Sequence, residues 1–269
     1  MTKIKNKTIL VTGGASGLGK LLALRCLQKG AKQVILWDIN EKELNKTTTE
    51  LEQRTYKVHP YVVDVTQIKD IEWAAKDILN TIGKVDVVFN SAGIVVGKSF
   101  AEHSDDEIKA TIDINVLGVM RTTKAFIGAM LADGSGHIIN IASAAGLIPN
   151  PNMSVYASSK WAVVGWSESL RLELEELDGE LRVLTVTPSY INTGMFDGVK
   201  APILTPIMQP DDIVNRIIKA VESNEIILRA PFIVKSVPLL RGILPTRVFD
   251  KIANTLGVYG SMDEFKGRA

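Results

Sequence analysis

Apolar and polar positions along this chain alternate between two rhythms. Short apolar or β-branched runs, such as Thr8-Ile9-Leu10-Val11-Thr12, read as buried strands. Longer stretches, such as Lys20 to Lys29 with Leu21, Leu22, Leu24 and Leu27, carry a helical pattern. On this basis strands are expected near 8–12, 33–37, 57–63, 85–90, 136–142, 181–187 and 225–229. Helices are expected near 17–29, 40–54, 67–82, 105–131, 153–177 and 211–222. Strands and helices that alternate in this way imply an α/β fold, a doubly wound parallel sheet of about seven strands covered on both faces. A chain of 269 residues can bury one extended core of this kind, so a single domain over 1–269 is expected. No repeat, low-complexity segment or long linker interrupts the rhythm.

Between the first strand and the first helix lies Gly13-Gly14-Ala15-Ser16-Gly17-Leu18-Gly19. Strand, glycine loop and helix form the order that presents free backbone N–H groups to a pyrophosphate at a helix N-terminus. A bare glycine run also fits a flexible turn; the flanking strand and helix favour the nucleotide. The second strand ends at Asp38, nineteen residues after Gly19. A carboxylate there can accept hydrogen bonds from an adenosine ribose and repels a 2′-phosphate. Ile39 follows it, and the glycine loop holds Ala15 and Ser16 where a basic residue could stand, so NAD rather than NADP is expected.

Ser143, Tyr156 and Lys160 supply candidate chemistry. Tyr156 and Lys160 stand at i and i+4, on one face of a helix. An ammonium beside a phenol favours the phenolate, and moving a phenol from its usual value to near 7 takes about 4 kcal/mol. Such a tyrosine could act as a general base or acid at neutral pH. The Tyr-x-x-x-Lys step also occurs on ordinary exposed helices and gains force from a cofactor site elsewhere in the chain. Asp38, Asp64, Asn90, Ser143 and Pro188 all fall at predicted strand ends, which places them on the rim where such sheets bind ligands.

Thr12-Gly-Gly-Ala-Ser-Gly-Leu-Gly19, Asp64-Val65, Asn90-Ser-Ala-Gly93, Asn115, Ser143, Tyr156-Ala-Ser-Ser-Lys160 and Pro188 through Thr193 occur in one order. Together they resemble the short-chain dehydrogenase/reductase family over about residues 5 to 230. The resemblance implies a Rossmann-like fold and a catalytic set of Asn115, Ser143, Tyr156 and Lys160. In it Ser143 orients the substrate oxygen, Tyr156 is the acid/base, Lys160 binds the nicotinamide ribose and tunes the tyrosine, and Asn115 holds a water. It also implies cofactor contacts from Gly13, Ser16, Gly17, Leu18, Gly19, Asp38, Ile39, Asp64, Val65, Asn90, Ala92, Gly93, Tyr156, Lys160, Pro188, Ile191 and Thr193. The chain departs from the family pattern at Ser91, where a second asparagine is usual, and at Ser189, where glycine commonly follows Pro188. Trp37-Asp38-Ile39-Asn40 and the long tail are similar to the branch that oxidises steroids and retinol.

Composition narrows the partners. The formal net charge is +1 and no dense basic cluster occurs, so nucleic acid is not expected. His59, His103 and His137 lack metal-ligand spacing, and no metal is expected. The one cysteine, Cys26, falls in the first helix as a small core residue. The start, Met-Thr-Lys-Ile-Lys-Asn-Lys, has no apolar signal core, and no apolar run reaches spanning length, so a cytoplasmic location is expected. The 231–269 extension is rich in apolar residues, with Val248, Phe249, Ile252, Ala253 and Leu256 on one helical face. Lys235, Arg241, Arg247 and Lys251 stand there against Asp250. The extension could lie on a membrane surface, lid an oily pocket, or pack on its own domain or a partner subunit. Loops 94–103, 144–152 and 189–210 are expected to wall the substrate pocket, with 190–210 as the substrate loop.

The resulting expectation is an NAD(H)-dependent oxidoreductase interconverting a lipophilic alcohol and its ketone or aldehyde, as a homodimer or homotetramer. Two other readings are an NADPH-dependent carbonyl or oxoacyl reductase and a non-catalytic NAD-binding protein.

Overall fold

The structure, a computed structural model, describes residues 2–267. Seven strands form one parallel sheet: β1 (Thr8–Thr12), β2 (Gln33–Asp38), β3 (Val58–Val62), β4 (Val87–Asn90), β5 (Ser135–Ile141), β6 (Glu180–Pro188) and β7 (Ile227–Ala230). Their order is β3-β2-β1-β4-β5-β6-β7, so the winding reverses between β1 and β4. Crevices at such reversal points, beyond the carboxyl ends of the strands, are where doubly wound sheets receive ligands.

Successive residues of a strand point to opposite faces, and β1 serves both sides of the sheet. Ile9 and Val11 pack with Leu22, Cys26, Ile213 and Ile217, contributed by α1 (Gly17–Gln28) and α7 (Pro210–Ser223). Leu10 packs on the other face with Ile35, Ile78, Val88 and Phe126. Every residue of β1 is buried, as expected of a central parallel strand with helices on both sides. The architecture is the Rossmann-like doubly wound α/β fold expected from the alternation of elements.

Helix boundaries follow local chemistry. The Asn40 side chain accepts from Glu43 N–H at the start of α2 (Glu41–Glu52). Ser104 and Glu107 form a reciprocal capping box at α4 (Asp105–Ile112), where Asp105 and Asp106 also face the positive helix end. The helix expected at 105–131 is not uniform. Residues Asp113–Gly118 form a π-helical turn between α4 and α5 (Val119–Ala132). Gly118 lies in that turn against Val65, where a Cβ would come within 2.9 Å of the valine side chain.

The tail does more than add a helix. After β7 come α8 (Val237–Ile243) and α9 (Thr246–Thr255). The chain then returns to the loop after β6, where Lys200 N–H donates to Ser261 C=O and Lys266 N–H donates to Asp197 C=O. The expected apolar face of α9 divides: Phe249 and Ala253 are buried, whereas Val248 and Ile252 remain largely exposed. Among the described residues no helix is long and apolar enough to cross a membrane.

Candidate active site

The rim of the sheet between β1 and β4 carries an open crevice of about 280 Å³. Gly13, Ser16, Gly17, Leu18 and Gly19 line one side of it, and Asp38, Ile39, Asp64 and Val65 line the far end. Two glycines have structural causes. Gly13 has φ +67°, and a Cβ there would press on the Ala92 backbone at 3.0 Å. A Cβ at Gly19 would lie 2.1 Å from the Gly13 carbonyl oxygen, so only glycine lets α1 sit this close to the loop.

Thr12, at the end of β1, joins the two sides of the crevice. Its Oγ1 accepts from the backbone N–H groups of Ser91 and Ala92, each at 3.1 Å. This bond positions the turn that carries Ala92 and Gly93 into the crevice. Asp38 is held by the backbone as well: Ala15 N–H donates to Oδ2 and Asn40 N–H donates to Oδ1, each at 3.0 Å. Its negative charge is thereby fixed beside the glycine loop. Lys20, in the first turn of α1, is paired with Glu50 at 2.5 Å. Asp64 Oδ1 accepts from Thr66 N–H at 2.8 Å, which orients the other carboxylate oxygen of this crevice residue.

At the opposite end stand Ser143, Tyr156 and Lys160, with Pro188, Ser189, Ile191 and Thr193 beside them. Tyr156 and Lys160 lie on α6 (Ser154–Glu175) and both are buried. Lys160 Nζ donates to Ile141 C=O at 3.0 Å and lies 5.6 Å from the Tyr156 ring centroid. Burial lowers the Lys160 ammonium to about 8. Burial also pushes the Tyr156 phenol up to about 12; the Ser143 hydroxyl acts the other way and Tyr190 adds slightly to the rise. The sequence spacing predicted a phenol lowered by its lysine. Within the protein alone desolvation wins: the burial of the phenolate outweighs the Ser143 hydrogen bond that opposes it.

Two expected residues sit behind the crevice. Asn90 does not line it; its Nδ2 donates to Thr123 Oγ1 at 2.9 Å and Asn140 Oδ1 at 2.8 Å, tying β4 to its neighbours. Beside it, Ser91, Ala92 and Gly93 form the crevice wall. Asn115 is fully buried in the π-helical turn. Its Oδ1 accepts from Ile94 N–H and its Nδ2 donates to Ile94 C=O, each at 2.9 Å, and Nδ2 also donates to Ser159 Oγ at 3.1 Å. With its amide so committed, the side chain braces the loop after β4, at Ile94, against α6. The remaining predicted residues all reach the crevice.

Sequence reasoning did not single out Ile94, Met195 and Phe196, which also line it. Phe196 stands edge-on to Tyr156 at 6.1 Å and to Tyr190 at 5.2 Å. Its only signal was an aromatic inside the substrate loop. Beyond Ser143 and Ser189 opens a second, mainly apolar cavity of about 130 Å³. Its walls come from the 144–152 and 189–210 loops, as expected, and from α8 and α9 through Val237, Leu240, Phe249, Ile252 and Ala253. The 94–103 loop contributes only Ile94 to the crevice, since Gly97 is covered by Met262 and Phe265 of the returning tail.

This arrangement has counterparts. The family model described as short chain dehydrogenase matches residues 7–203. The chain is 36% identical over 270 residues to epidermal retinol dehydrogenase 2 of Mus musculus, covering 98% of this chain and 87% of that one. It is 32% identical over 256 residues to estradiol 17-beta-dehydrogenase 11 of Homo sapiens, covering 95% and 85%. Among solved structures, a short chain dehydrogenase/reductase from Burkholderia phymatum in complex with NAD superposes with a TM-score of 0.82 at 26% identity, covering 90% of this chain and 95% of that one. Fold, ordered motifs and overall likeness agree, and the chain belongs to the short-chain dehydrogenase/reductase family of oxidoreductases.

Proposed function

We propose that the protein oxidises a lipophilic alcohol to its ketone or aldehyde, and reverses that step, with NAD(H). The observation that carries this reading is the meeting of Ser143, Tyr156 and Lys160 at one end of the glycine-lined crevice, where an apolar cavity opens. The crevice fits a dinucleotide on its own terms. Gly13 and Gly19 leave room that a Cβ would fill, and the fixed Asp38 carboxylate suits a ribose diol while opposing a 2′-phosphate. Gly13, Gly17 and Gly19 would hold the pyrophosphate, Asp38 the adenosine ribose, Asp64 and Val65 the adenine, and Lys160 with Thr193 the nicotinamide end. When bound, the oxidised nicotinamide supplies the acceptor for a hydride and a positive charge near the phenol.

The protein's share is position and proton transfer. Ser143 holds the substrate oxygen as charge develops on it, a contribution that can reach several kcal/mol. Tyr156, as phenolate, takes the hydroxyl proton in oxidation and returns it in reduction. Lys160, anchored on Ile141, keeps a positive charge beside that phenol. Its lowered value lets it release and regain a proton near the working pH. Phe196 and the apolar cavity limit water around the reacting oxygen.

The test is Tyr156→Phe. Turnover of an apolar alcohol should fall by about a thousandfold, while NAD binding by calorimetry stays near wild type. Retained turnover would end the assignment.

The rim of the second cavity supports a finer reading: peripheral contact with a lipid surface that delivers apolar substrate. Phe232, Leu239 and Ile243 are each more than 60% exposed, and Lys235 and Arg247 stand among them. Co-sedimentation with anionic vesicles should drop when Phe232 and Ile243 are both changed to Ser; unchanged binding would dismiss it.

A further inference from the structure

The second cavity contains polar atoms that the reaction leaves unexplained. Asn150 is 8% exposed and lines the cavity. Its Nδ2 lies 3.0 Å from Tyr190 Oη and 3.1 Å from Ser261 Oγ, whereas its Oδ1 is buried without a partner. Ser261 Oγ gives its proton to Val258 C=O and Tyr190 Oη gives its own to Ser261, so the amide must present its nitrogen to both hydroxyls, and Oδ1 is the atom left spare. Thr205 supplies a second case. It lines the same cavity from the substrate loop, and its Oγ1 is buried and unpartnered. Buried polar atoms are nearly always bonded. Two spare ones belong to residues of separate loops that line one cavity, whose walls are otherwise mainly apolar and include Ile148, Met153, Leu204, Leu240, Phe249 and Leu256.

From this we infer that the cavity accepts a substrate with an apolar body and a second hydrogen-bonding group, a hydroxyl or carbonyl oxygen, set well away from the reacting carbon. Asn150 and Thr205 form the subsite for that remote group. Ser143 and Ser189, shared by cavity and crevice, mark the reacting end. The inference rests on the alcohol dehydrogenase reading and adds to it a requirement on the substrate's far end.

The architecture explains how such a subsite is held. Tyr190 Oη shares a hydrogen bond of 2.8 Å with Ser261 Oγ, and Ser261 N–H and Oγ both bond Val258 C=O. The returning tail thus fixes Tyr190, and Tyr190 fixes Asn150. The Thr205 N–H is bonded to Pro202 C=O, so its hydroxyl is the donor left for a ligand. A site built to bond a substrate hydroxyl discriminates strongly against the analogue lacking it, because its own polar atoms are then left dry.

The experiment compares straight-chain primary alcohols with the α,ω-diols of equal length, over a homologous series with NAD. The diols should show a length optimum at which kcat/KM exceeds that of the matching alcohol by about tenfold or more, well above the twofold statistical advantage of two identical ends. Thr205→Val, which keeps the shape and removes the hydroxyl, should reduce that ratio severalfold. Calorimetric titration of the same compounds gives a readout without turnover. If neither class is oxidised but diols bind tighter in a Thr205-dependent way, the subsite stands and the dehydrogenase reading falls. Turnover of both classes with a ratio near two, or a ratio indifferent to Thr205→Val, would overturn the subsite, a buried water then being the partner of these atoms.

Discussion

Lys160 Nζ lies 3.0 Å from the carbonyl oxygen of Ile141, the last residue of β5. The bond crosses from helix α6 to the strand end, so the amine is anchored in place instead of reaching toward solvent. It leaves the lysine 5.6 Å from the Tyr156 ring centroid, near enough to influence the phenol and too desolvated to hold its own proton firmly. Because burial raises the Tyr156 phenol to about 12, the phenolate is the scarce form at neutral pH. Alcohol oxidation should therefore speed up as pH rises from about 6 to about 10, whereas carbonyl reduction, which uses the phenol, should not. Lys160→Met should lower oxidative kcat by about tenfold or more and displace the rising limb upward. A flat oxidative profile in the parent enzyme would contradict the proton-transfer role.

Asp38 should set the cofactor choice through its charge, while its oxygens keep the glycine loop attached to β2. Asp38→Asn retains an acceptor for the Ala15 or Asn40 N–H and removes the negative charge. The ratio of kcat/KM with NAD to that with NADP should fall by about tenfold or more, through a gain with NADP more than a loss with NAD. An unchanged ratio would mean that discrimination lies elsewhere in the crevice.

Much of this site was legible because its causes are local. The glycine loop follows a β-branched strand and opens a helix, and the positive φ at Gly13 and the tight contact at Gly19 are demands that few residues meet. Strand ends at Asp38 and Pro188 followed from hydrophobic runs that stop abruptly, and Asp64 lies two residues past the end of β3. The π-helical turn at Asp113–Gly118 was not legible, since Asn115 there bonds Ile94, which is 21 positions away. Ser261 and Tyr190 meet across 71 positions, and no periodicity announces such a contact. The phenol's raised value escaped for a related reason: spacing reveals the lysine, but only packing reveals how little water remains.

Thr12 offers a test of how the two halves of the crevice are joined. Thr12→Val keeps the shape of the side chain and removes the acceptor for Ser91 and Ala92 N–H. Leaving partly buried donors unsatisfied costs about 1–3 kcal/mol. Chemical unfolding should report a loss in that range. The dissociation constant for NAD should rise as well, because the turn carrying Ala92 and Gly93 loses its anchor. A loss of stability with unaltered NAD affinity would confine Thr12 to a folding role.

His137 predicts how the fold responds to acid. It lies on β5, buried, with Nδ1 bonded to Thr2 Oγ1 at 3.1 Å. Burial, assisted by Arg182, lowers its imidazolium from 6.5 to about 3. Between those values the unfolded chain binds a proton that the native state refuses. The stabilisation from keeping His137 neutral is therefore complete above pH 6.5 and declines as pH falls toward about 3. One such group contributes a slope approaching 1.4 kcal/mol per pH unit at most. His137→Gln, which cannot titrate, should flatten the fall in unfolding free energy over this interval, leaving the slope due to carboxylates and to His59, which burial also lowers. If variant and parent lose stability in parallel from pH 6.5 downward, the imidazole is already charged inside the sheet and its burial has been offset by another group.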